Sequence, residues 1–268
     1  RIAVGGKEQA DSLASSTMAK ASVDTTWMKN EYVPVTSFIH TLKFDNYRRI
    51  YEAYKTPENY YLSKYDIDEH FGGDSIYDKT RHYSLRNTLA IAMLEGFNKW
   101  AKAGLKVFAT SELRHFAMPS LNGGTDSYNE HNLSIGGQLI KTEGKTFHYN
   151  ATAEAWLTGE DAGQLKVDGN ADLNFKLLGD TVQLAAKAYF YRLNPTFFYR
   201  HYHSKHLWWD NDLSKETRTR IEGLFSLRKT KTTLRVAVDN ISNYTYFAQK
   251  YNKTENFGRT GTTVNVKQ

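Results

Sequence analysis

Between Gln164 and Leu177 polar and apolar side chains alternate with almost no break. Gln164, Lys166, Asp168, Asn170, Asp172, Asn174 and Lys176 share one parity; Leu165, Val167, Gly169, Ala171, Leu173, Phe175 and Leu177 share the other. A period of two marks a β-strand whose faces meet different surroundings. A run of about fourteen residues exceeds the usual globular strand of roughly 5–6. It suits a tilted strand crossing a bilayer.

The same alternation recurs along the chain. Thr36–Glu52 sets Phe38, Leu42 and Phe44 against Thr41, Lys43 and Asp45. In His82–Trp100, Tyr83, Leu85, Leu89, Ile91, Met93 and Phe97 are in phase. Ala103–Met118 opposes Leu105, Val107, Ala109 and Leu113 to Lys106, Thr110, Glu112 and Arg114. Asn129–Lys141 keeps Leu133, Ile135 and Leu139 together. Lys145–Thr158 sets Phe147, Tyr149, Ala151, Ala153 and Leu157 against Thr146, His148, Asn150, Thr152 and Glu154. Thr181–Leu193 places Val182, Leu184, Ala186, Ala188 and Phe190 opposite Gln183 and Lys187. Thr217–Arg228 does so with Ile221, Phe225 and Leu227 against Arg218, Arg220 and Glu222. Thr232–Asn243 sets Leu234, Val236 and Val238 against Arg235 and Asp239, and a further strand starts near Thr262. The pattern predicts about nine or ten strands and no helix. Pro34, Pro57, Pro119 and Pro195 all fall outside strand interiors, as ladder hydrogen bonding requires. Residues 1–34 carry no sustained period and read as an irregular segment, leaving 35–268 as the β region.

Connection lengths add a second signal. The links at about 53–81, 119–128, 194–216 and 244–261 are long, and 159–162 is of middle length. Those at 101–102, 142–144, 179–180 and 229–231 are tight. Long and tight links alternate, as they do where a barrel has short turns at one membrane face and long loops at the other. A bilayer offers no partner for backbone N–H and C=O groups, so a sheet within it must close on itself. A one-residue slip of 164–177 would turn Lys166, Asp168, Asp172 and Lys176 outward, at roughly 2–4 kcal/mol for each Lys near the midplane. The expected fold is therefore all-β, an antiparallel transmembrane β-barrel with a polar lumen, the visible strands being part of a larger barrel.

On that reading the charged parity lines a pore: Arg86, Lys106, Glu112, Arg114, Glu154, Lys166, Asp168, Asn170, Asp172, Lys176, Lys187, Arg218, Arg220 and Arg235. Arg228 falls with them. Basic residues outnumber acidic ones, which predicts a weak anion preference; a solvated face with no role in selectivity explains the same residues. Aromatics gather near strand ends. Trp100, Tyr189, Tyr191, Trp208, Trp209 and Tyr244 are expected at the headgroup level, while packing inside a loop is the plainer account for part of Phe197–Trp209.

Composition narrows the choices. No run among the 268 residues approaches the roughly 18 apolar residues of a spanning helix, and mean hydropathy is −0.62. That excludes helical membrane proteins but not barrels, whose strands average out as polar. Cysteine is absent, so there is no disulfide framework or thiolate metal site. Net charge is +6, but the basic residues are dispersed, so no nucleic-acid partner is expected. No signal peptide is visible, the chain begins at Arg1, and Val264–Gln268 lies inside another alternating stretch; both ends look cut, as in a piece of a longer protein.

Candidate chemistry is sparse. His201 and His203 share a strand parity and could hold a transition metal with His206 or Asp210, yet an aromatic-packed loop accounts for the cluster without one. Asn122-Gly123-Gly124 is a turn signal rather than a phosphate loop, since no helix pattern follows. The Asn-x-Ser/Thr triplets at Asn132, Asn150, Asn240, Asn243 and Asn252 fit strand and turn composition. Scattered Ser, His and Asp fix no nucleophilic motif. No enzyme activity, cofactor or metal is expected.

Several segments resemble the β-barrel porins of Bacteroidetes outer membranes: Pro34-Val35-Thr36-Ser37-Phe38-Ile39-His40-Thr41-Leu42, Tyr47 to Tyr51, and Asn194-Pro195-Thr196-Phe197-Phe198-Tyr199 leading to Ser204-Lys205-His206 and Trp208-Trp209-Asp210-Asn211. Val238-Asp239-Asn240-Ile241-Ser242-Asn243-Tyr244 completes the likeness and is also similar to strand ends of energy-coupled outer-membrane receptors. The resemblance implies an outer-membrane barrel, and a pore by family label; it supplies no catalytic residues. The expected function is passive passage of small polar solutes, with outer-membrane lipid as surroundings and envelope proteins as possible partners; oligomeric state stays open. Two alternatives stand beside it: a plugged or accessory barrel or receptor in a larger envelope complex, and a soluble or surface β-rich glycan binder using Trp208 and Trp209.

Overall fold

β-Branched and aromatic residues on one parity and charges on the other give long strands, and the structure, a computed structural model, follows that rule. It describes residues 2–4, 29–31, 36–56, 60–67, 75–95, 103–177, 179–253 and 260–268. In chain order the strands are β1 (Ile2–Val4), β2 (Lys29–Glu31), β3 (Thr36–Ala53), β4 (Ile76–Met93), β5 (Gly104–Pro119), β6 (Thr125–Lys141), β7 (Phe147–Thr158), β8 (Leu165–Leu177) and β9 (Asp180–Leu193). A one-turn helix α1 (Phe197–Arg200) and the short strands β10 (His201–His203) and β11 (Trp208–Asp210) follow. β12 (Glu216–Leu227), β13 (Thr232–Ser242), β14 (Tyr246–Lys253) and β15 (Thr260–Lys267) complete the chain.

Nine strands form one sheet in the order β13-β12-β9-β8-β7-β6-β5-β4-β3, antiparallel throughout. Its edges, β3 and β13, are not paired with each other. β10 pairs with β11, β14 with β15, and β1 with β2, each as a separate two-stranded unit. The all-β antiparallel class is that of a barrel, although this sheet is open.

Directly opposed residues share a face, so the register carries sidedness from strand to strand. One row runs Phe38, Ile91, Val107, Gly137, Ala153, Val167, Phe190, Thr219, Asn240. Another runs Met93, Leu105, Leu139, Ala151, Gly169, Ala188, Ile221, Val238. On the other face a row runs Ala92, Lys106, Gln138, Thr152, Asp168, Tyr189, Arg220, Asp239. The bulge at Leu133/Ser134 does not reverse the sides. It is made beside Gly159 (φ +88°), where a Cβ would stand 2.0 Å from the His131 carbonyl oxygen.

The apolar face has no covering layer: Leu89 is 62% exposed, Ile221 63% and Val238 68%. Apart from Val182 near the 179–180 turn, burial within the nine-stranded sheet is on the polar face, and among the described residues buried polar and charged side chains outnumber buried apolar ones. A water-soluble domain is built the other way round.

The strand bounds differ from expectation where alternation fails. β4 begins at Ile76 rather than His82 and ends at Met93, and β6 begins at Thr125. The added residues set Asp78 and Thr80 against Lys79 and Arg81, and Asp126 and Tyr128 against Ser127 and Asn129. Neither side is apolar there, so periodicity gave no signal. The link expected at 119–128 shrinks to 120–124, and the one at 53–81 to 54–75. The region 244–261 contains β14. Within residues 1–34 only β1 and β2 are described.

Candidate functional site

The fourteen charged and polar residues singled out from the pattern lie on one face. Arg86 stands opposite Glu112, Glu154 opposite Lys166, Asn170 opposite Lys187, and Lys106 opposite Gln138. Asp168, Asp172 and Lys176 extend the set along β8, and Arg114, Arg218, Arg220 and Arg235 share the face.

Across the β4–β6 part of this face lies the segment 194–215. Its anchor is aromatic. The Phe197 ring stacks on Phe116 at 3.6 Å and 3°, Phe116 on His82 at 4.3 Å, and His82 on Tyr47 at 5.8 Å. Phe116, Met118 and Phe197 form a small buried apolar cluster flanked by Tyr128 and Phe198. Polar ties follow. Arg200 donates to Glu130 at 2.7 Å, Arg114 meets the other Glu130 oxygen at 3.0 Å, and Arg114 also pairs with Asp161. Asp161 accepts from the Gln164 side-chain amide at 2.6 Å and from that of Asn194, just past β9, at 3.3 Å. Farther along, Lys205 donates its backbone N–H to Asp78 at 3.1 Å and its ammonium to the Ser75 carbonyl. Arg49 donates to the Tyr202 hydroxyl at 2.6 Å.

His201 and His203 are held by carboxylates. Asp210 stands 2.8 Å from His201 Nδ1 and 3.0 Å from His203 Nε2, while His203 Nδ1 is 3.0 Å from Asp126. Burial pushes the Asp210 pKa up, but its hydrogen bonds to His201 and His203 outweigh this and hold it below the usual carboxylate range. Among the described residues no group of three or more His, Cys, Asp or Glu has the arrangement of a metal site.

The rest of the polar face is differently organised. Glu222 is shared by Arg220 and Arg235, each at 2.7 Å, and Arg220 reaches Asp239 at 3.1 Å. Lys106 lies over the Phe108 ring at 5.8 Å and Lys166 over Tyr191 at 5.3 Å. Neither they nor Lys176 and Lys187 have an ion pair among the described residues.

The sidedness and the match to known proteins agree. The model of a family described as "Putative porin" matches residues 12–268. The chain belongs to that porin family. Neither the curated proteins nor the solved structures compared with it gave a match. An all-β porin chain without a long apolar helix among its described residues fits an outer-membrane β-barrel.

The porin-family chain departs from expectation in its aromatics. Tyr189 and Tyr191 face the charged side, opposite Asp168 and Lys166, with their rings 4.6 Å apart; Phe190 between them is the one on the apolar face. Nearness to a strand end suggested the headgroup level, but parity decides the side. Trp208 stacks on His203 at 3.9 Å, and Trp209 donates its indole N–H to Phe198 O at 3.1 Å, so both pack within the 194–215 segment. Tyr244 is exposed at the end of β13 and stacks near Tyr246. Trp100 lies outside the described residues. Aromatics that do sit on the apolar face include Tyr83, well inside β4 and 4.7 Å from His115, and the pair Phe147 and Tyr149 at the start of β7, 5.4 Å apart. Sequence reasoning also missed Glu130, Asp161 and Arg200. Glu130 shares the charged parity of its strand and was legible; Asp161 and Arg200 lie in links, where no period exists.

Proposed function

We propose that this chain forms part of an outer-membrane β-barrel through which small polar solutes diffuse passively, with a weak preference for anions. The observation that carries this is the unbroken sidedness of nine strands. Charges face one way and exposed aliphatic side chains the other, and an aliphatic face this large needs hydrocarbon rather than water against it. Its dimensions suit a bilayer. From Tyr83 to Met93 the strand advances roughly 33 Å at ~3.3 Å per residue, or roughly 25 Å of height at a tilt of about 40°, the height of a barrel's apolar band. The charged face would then line the lumen, where water solvates Lys166, Lys176 and Lys187 without need of an ion pair. Those three lysines have no ion pair among the described residues, whereas of the carboxylates in the same sector, Glu154, Asp168 and Asp172, the last is engaged by His148; this supports the anion preference.

The test is planar-bilayer recording on protein that inserts and shows heat-modifiable gel migration. Conducting steps are expected, with a reversal potential modestly on the anion side that moves toward cations in the triple variant Lys166→Glu, Lys176→Glu, Lys187→Glu. Inserted protein that never conducts would sink the pore; a clear cation preference in the unaltered chain would sink the selectivity. The 194–215 segment, laid across the charged face, supports a second reading of an occluded barrel within a larger assembly. Under it, replacing residues 197–210 by a short Gly-Ser linker would raise conductance from near zero instead of from an already open level.

A further inference from the structure

A cavity with basic side chains in its lining lies on the apolar-facing side of the sheet; a second on that side, at Phe147, Leu173, Leu184 and Val236, is lined almost wholly by apolar residues. The first measures about 310 Å³ and sits at the end of β4, β5 and β6 that meets the 120–124 link, lined by Tyr77, Lys79, Arg81, Pro119, Gly123 and Thr125 among others. At ~30 Å³ per water, that volume is roughly ten waters. The register fixes the side. Arg81 stands opposite Ala117 and Pro119 opposite Thr125, in line with Tyr83, Leu85 and Leu113.

The charges there are one-signed. Among the described residues no carboxylate lines the cavity. Arg48 is directly opposite Arg81, and Lys79 is the next residue outward on the same face of β4. Like charges in opposed positions destabilise a sheet unless a counter-charge sits between them. Among the described residues, Arg48, Lys79 and Arg81 have no ion-pair partner. Glu52, on the same face of β3, accepts from the Tyr54 hydroxyl at 3.2 Å.

The height of the cluster names the missing partner. Arg81 comes two residues before Tyr83, roughly 5 Å higher at ~3.3 Å per residue and a tilt of about 40°. With Tyr83 and His115 at the rim of the hydrocarbon, that is the level of lipid headgroups. We propose that the cavity binds the phosphate of an anionic lipid headgroup in the leaflet at the long-link end. Arg81 and Lys79 would supply charge-assisted hydrogen bonds to its oxygens, and the same phosphate would relieve the opposition of Arg48 and Arg81. The site rests on the membrane reading above, since only lipid on the apolar face brings a headgroup to it.

The experiment is native mass spectrometry of the full chain released from detergent micelles doped with phosphatidic acid, phosphatidylcholine or diacylglycerol, with inorganic phosphate as a separate arm. Phosphatidic acid is expected to be retained. The double variant Lys79→Gln, Arg81→Gln is expected to hold it at least tenfold more weakly. The charge-matched variant Lys145→Gln, Lys229→Gln, altered at the tight-turn end, should stay within twofold. Heat-modifiable migration reports folding of each, and Arg81→Lys serves if the double variant does not fold, with a loss of at least threefold expected. Equal retention by the altered and unaltered chains overturns the proposal, as does phosphatidylcholine bound as well as phosphatidic acid. Inorganic phosphate competing at equal concentration would also overturn it, since the site would then serve an aqueous anion. Conductance of the same preparations separates this result from the pore reading: a chain that retains phosphatidic acid without conducting fails only the latter.

Discussion

Replacing Phe197 by Ala asks whether the 194–215 segment is held against the sheet by its aromatic anchor. Phe197 is 5% exposed, and its ring lies flat on Phe116. Truncating a buried Phe to Ala costs about 3–5 kcal/mol, least where the surroundings can close up. The segment is a flap free to settle, so the lower end applies. At ~1.4 kcal/mol per factor of ten, about 3 kcal/mol raises the undocked fraction by about two powers of ten. The Arg200–Glu130 ion pair is left intact by this change and cannot account for the shift. Trypsin reads the effect directly, because its target side chains in the segment are hidden when docked: Arg200 is 8% exposed and Lys205 2%. Where opening is fast relative to cutting, the cleavage rate follows the open population. Cleavage after Arg200 and Lys205 should therefore accelerate about a hundredfold in the variant, with cleavage after Lys229 unchanged. Phe197→Leu, which keeps most of the buried volume, should stay within about tenfold of the unaltered chain. An unchanged rate at Lys205 would refute the anchoring argument. An equal rise at Lys229 would show that the ring supports the whole sheet and not a local closure.

Two further outcomes follow from the same geometry. Leu173 lies on the apolar face between Phe147 and Leu184, whereas Asp172 lies on the charged face beside His148. Leu173→Lys should abolish heat-modifiable migration, at a cost of roughly 2–4 kcal/mol for a lipid-facing Lys, while Asp172→Lys should assemble; equal assembly of both would contradict the assigned sides. The Asp210 pKa is lowered in the folded segment, so its contribution is fully present above the unfolded value of about 3.9 and is lost as pH falls through the lower folded value. Under the occluded reading, in which the segment blocks the lumen, conductance should rise as pH drops from about 5 to below 3. Asp210→Asn should sit at its low-pH level throughout; a variant that retains the full pH response would exclude Asp210 as the titrating group.

The strands were legible because lipid and water impose opposite demands on successive residues. β8 shows it most plainly: a single parity of Leu, Val, Ala and Phe was enough to orient Lys166, Asp168 and Asp172 correctly with respect to their neighbours. Legibility ended where that contrast ended. Above Tyr83, β4 continues through Arg81, Lys79 and Tyr77 with polar groups on both sides, because one side has left hydrocarbon and the other is covered by protein. The 194–215 segment was illegible for a different reason. Its place depends on contacts with residues far away in sequence, such as Phe116 and Glu130, and no local period encodes those. Its aromatic content was visible, but the same Trp and Tyr residues serve equally at a membrane rim or inside a packed loop.

The distribution of ion pairs across the charged face follows from where the segment lies. Beneath it Glu130 is 6% exposed and Arg200 8%. A lone charge so placed would be costly, and removing one partner of such a pair costs about 3–5 kcal/mol. Accordingly Glu130 engages both Arg114 and Arg200, and Arg114 engages Asp161 as well. Beyond the segment, along β8 and β9, Lys176 and Lys187 are exposed and lack ion pairs among the described residues. Exposed charges need no partner, since water solvates them and exposed pairs are worth only about 0–1 kcal/mol. Under the aromatic anchor every charge is thus paired, whereas on β8 and β9 Lys176 and Lys187 are left to water; β12 and β13 keep the exposed pairs of Glu222 and Asp239. If solutes pass along this face, the β8–β9 sector is the part with room and mobile counter-charge to carry them. Neutralising Lys176 and Lys187 should then alter ion flow more than neutralising Arg114, whose charge is already spent on Glu130 and Asp161.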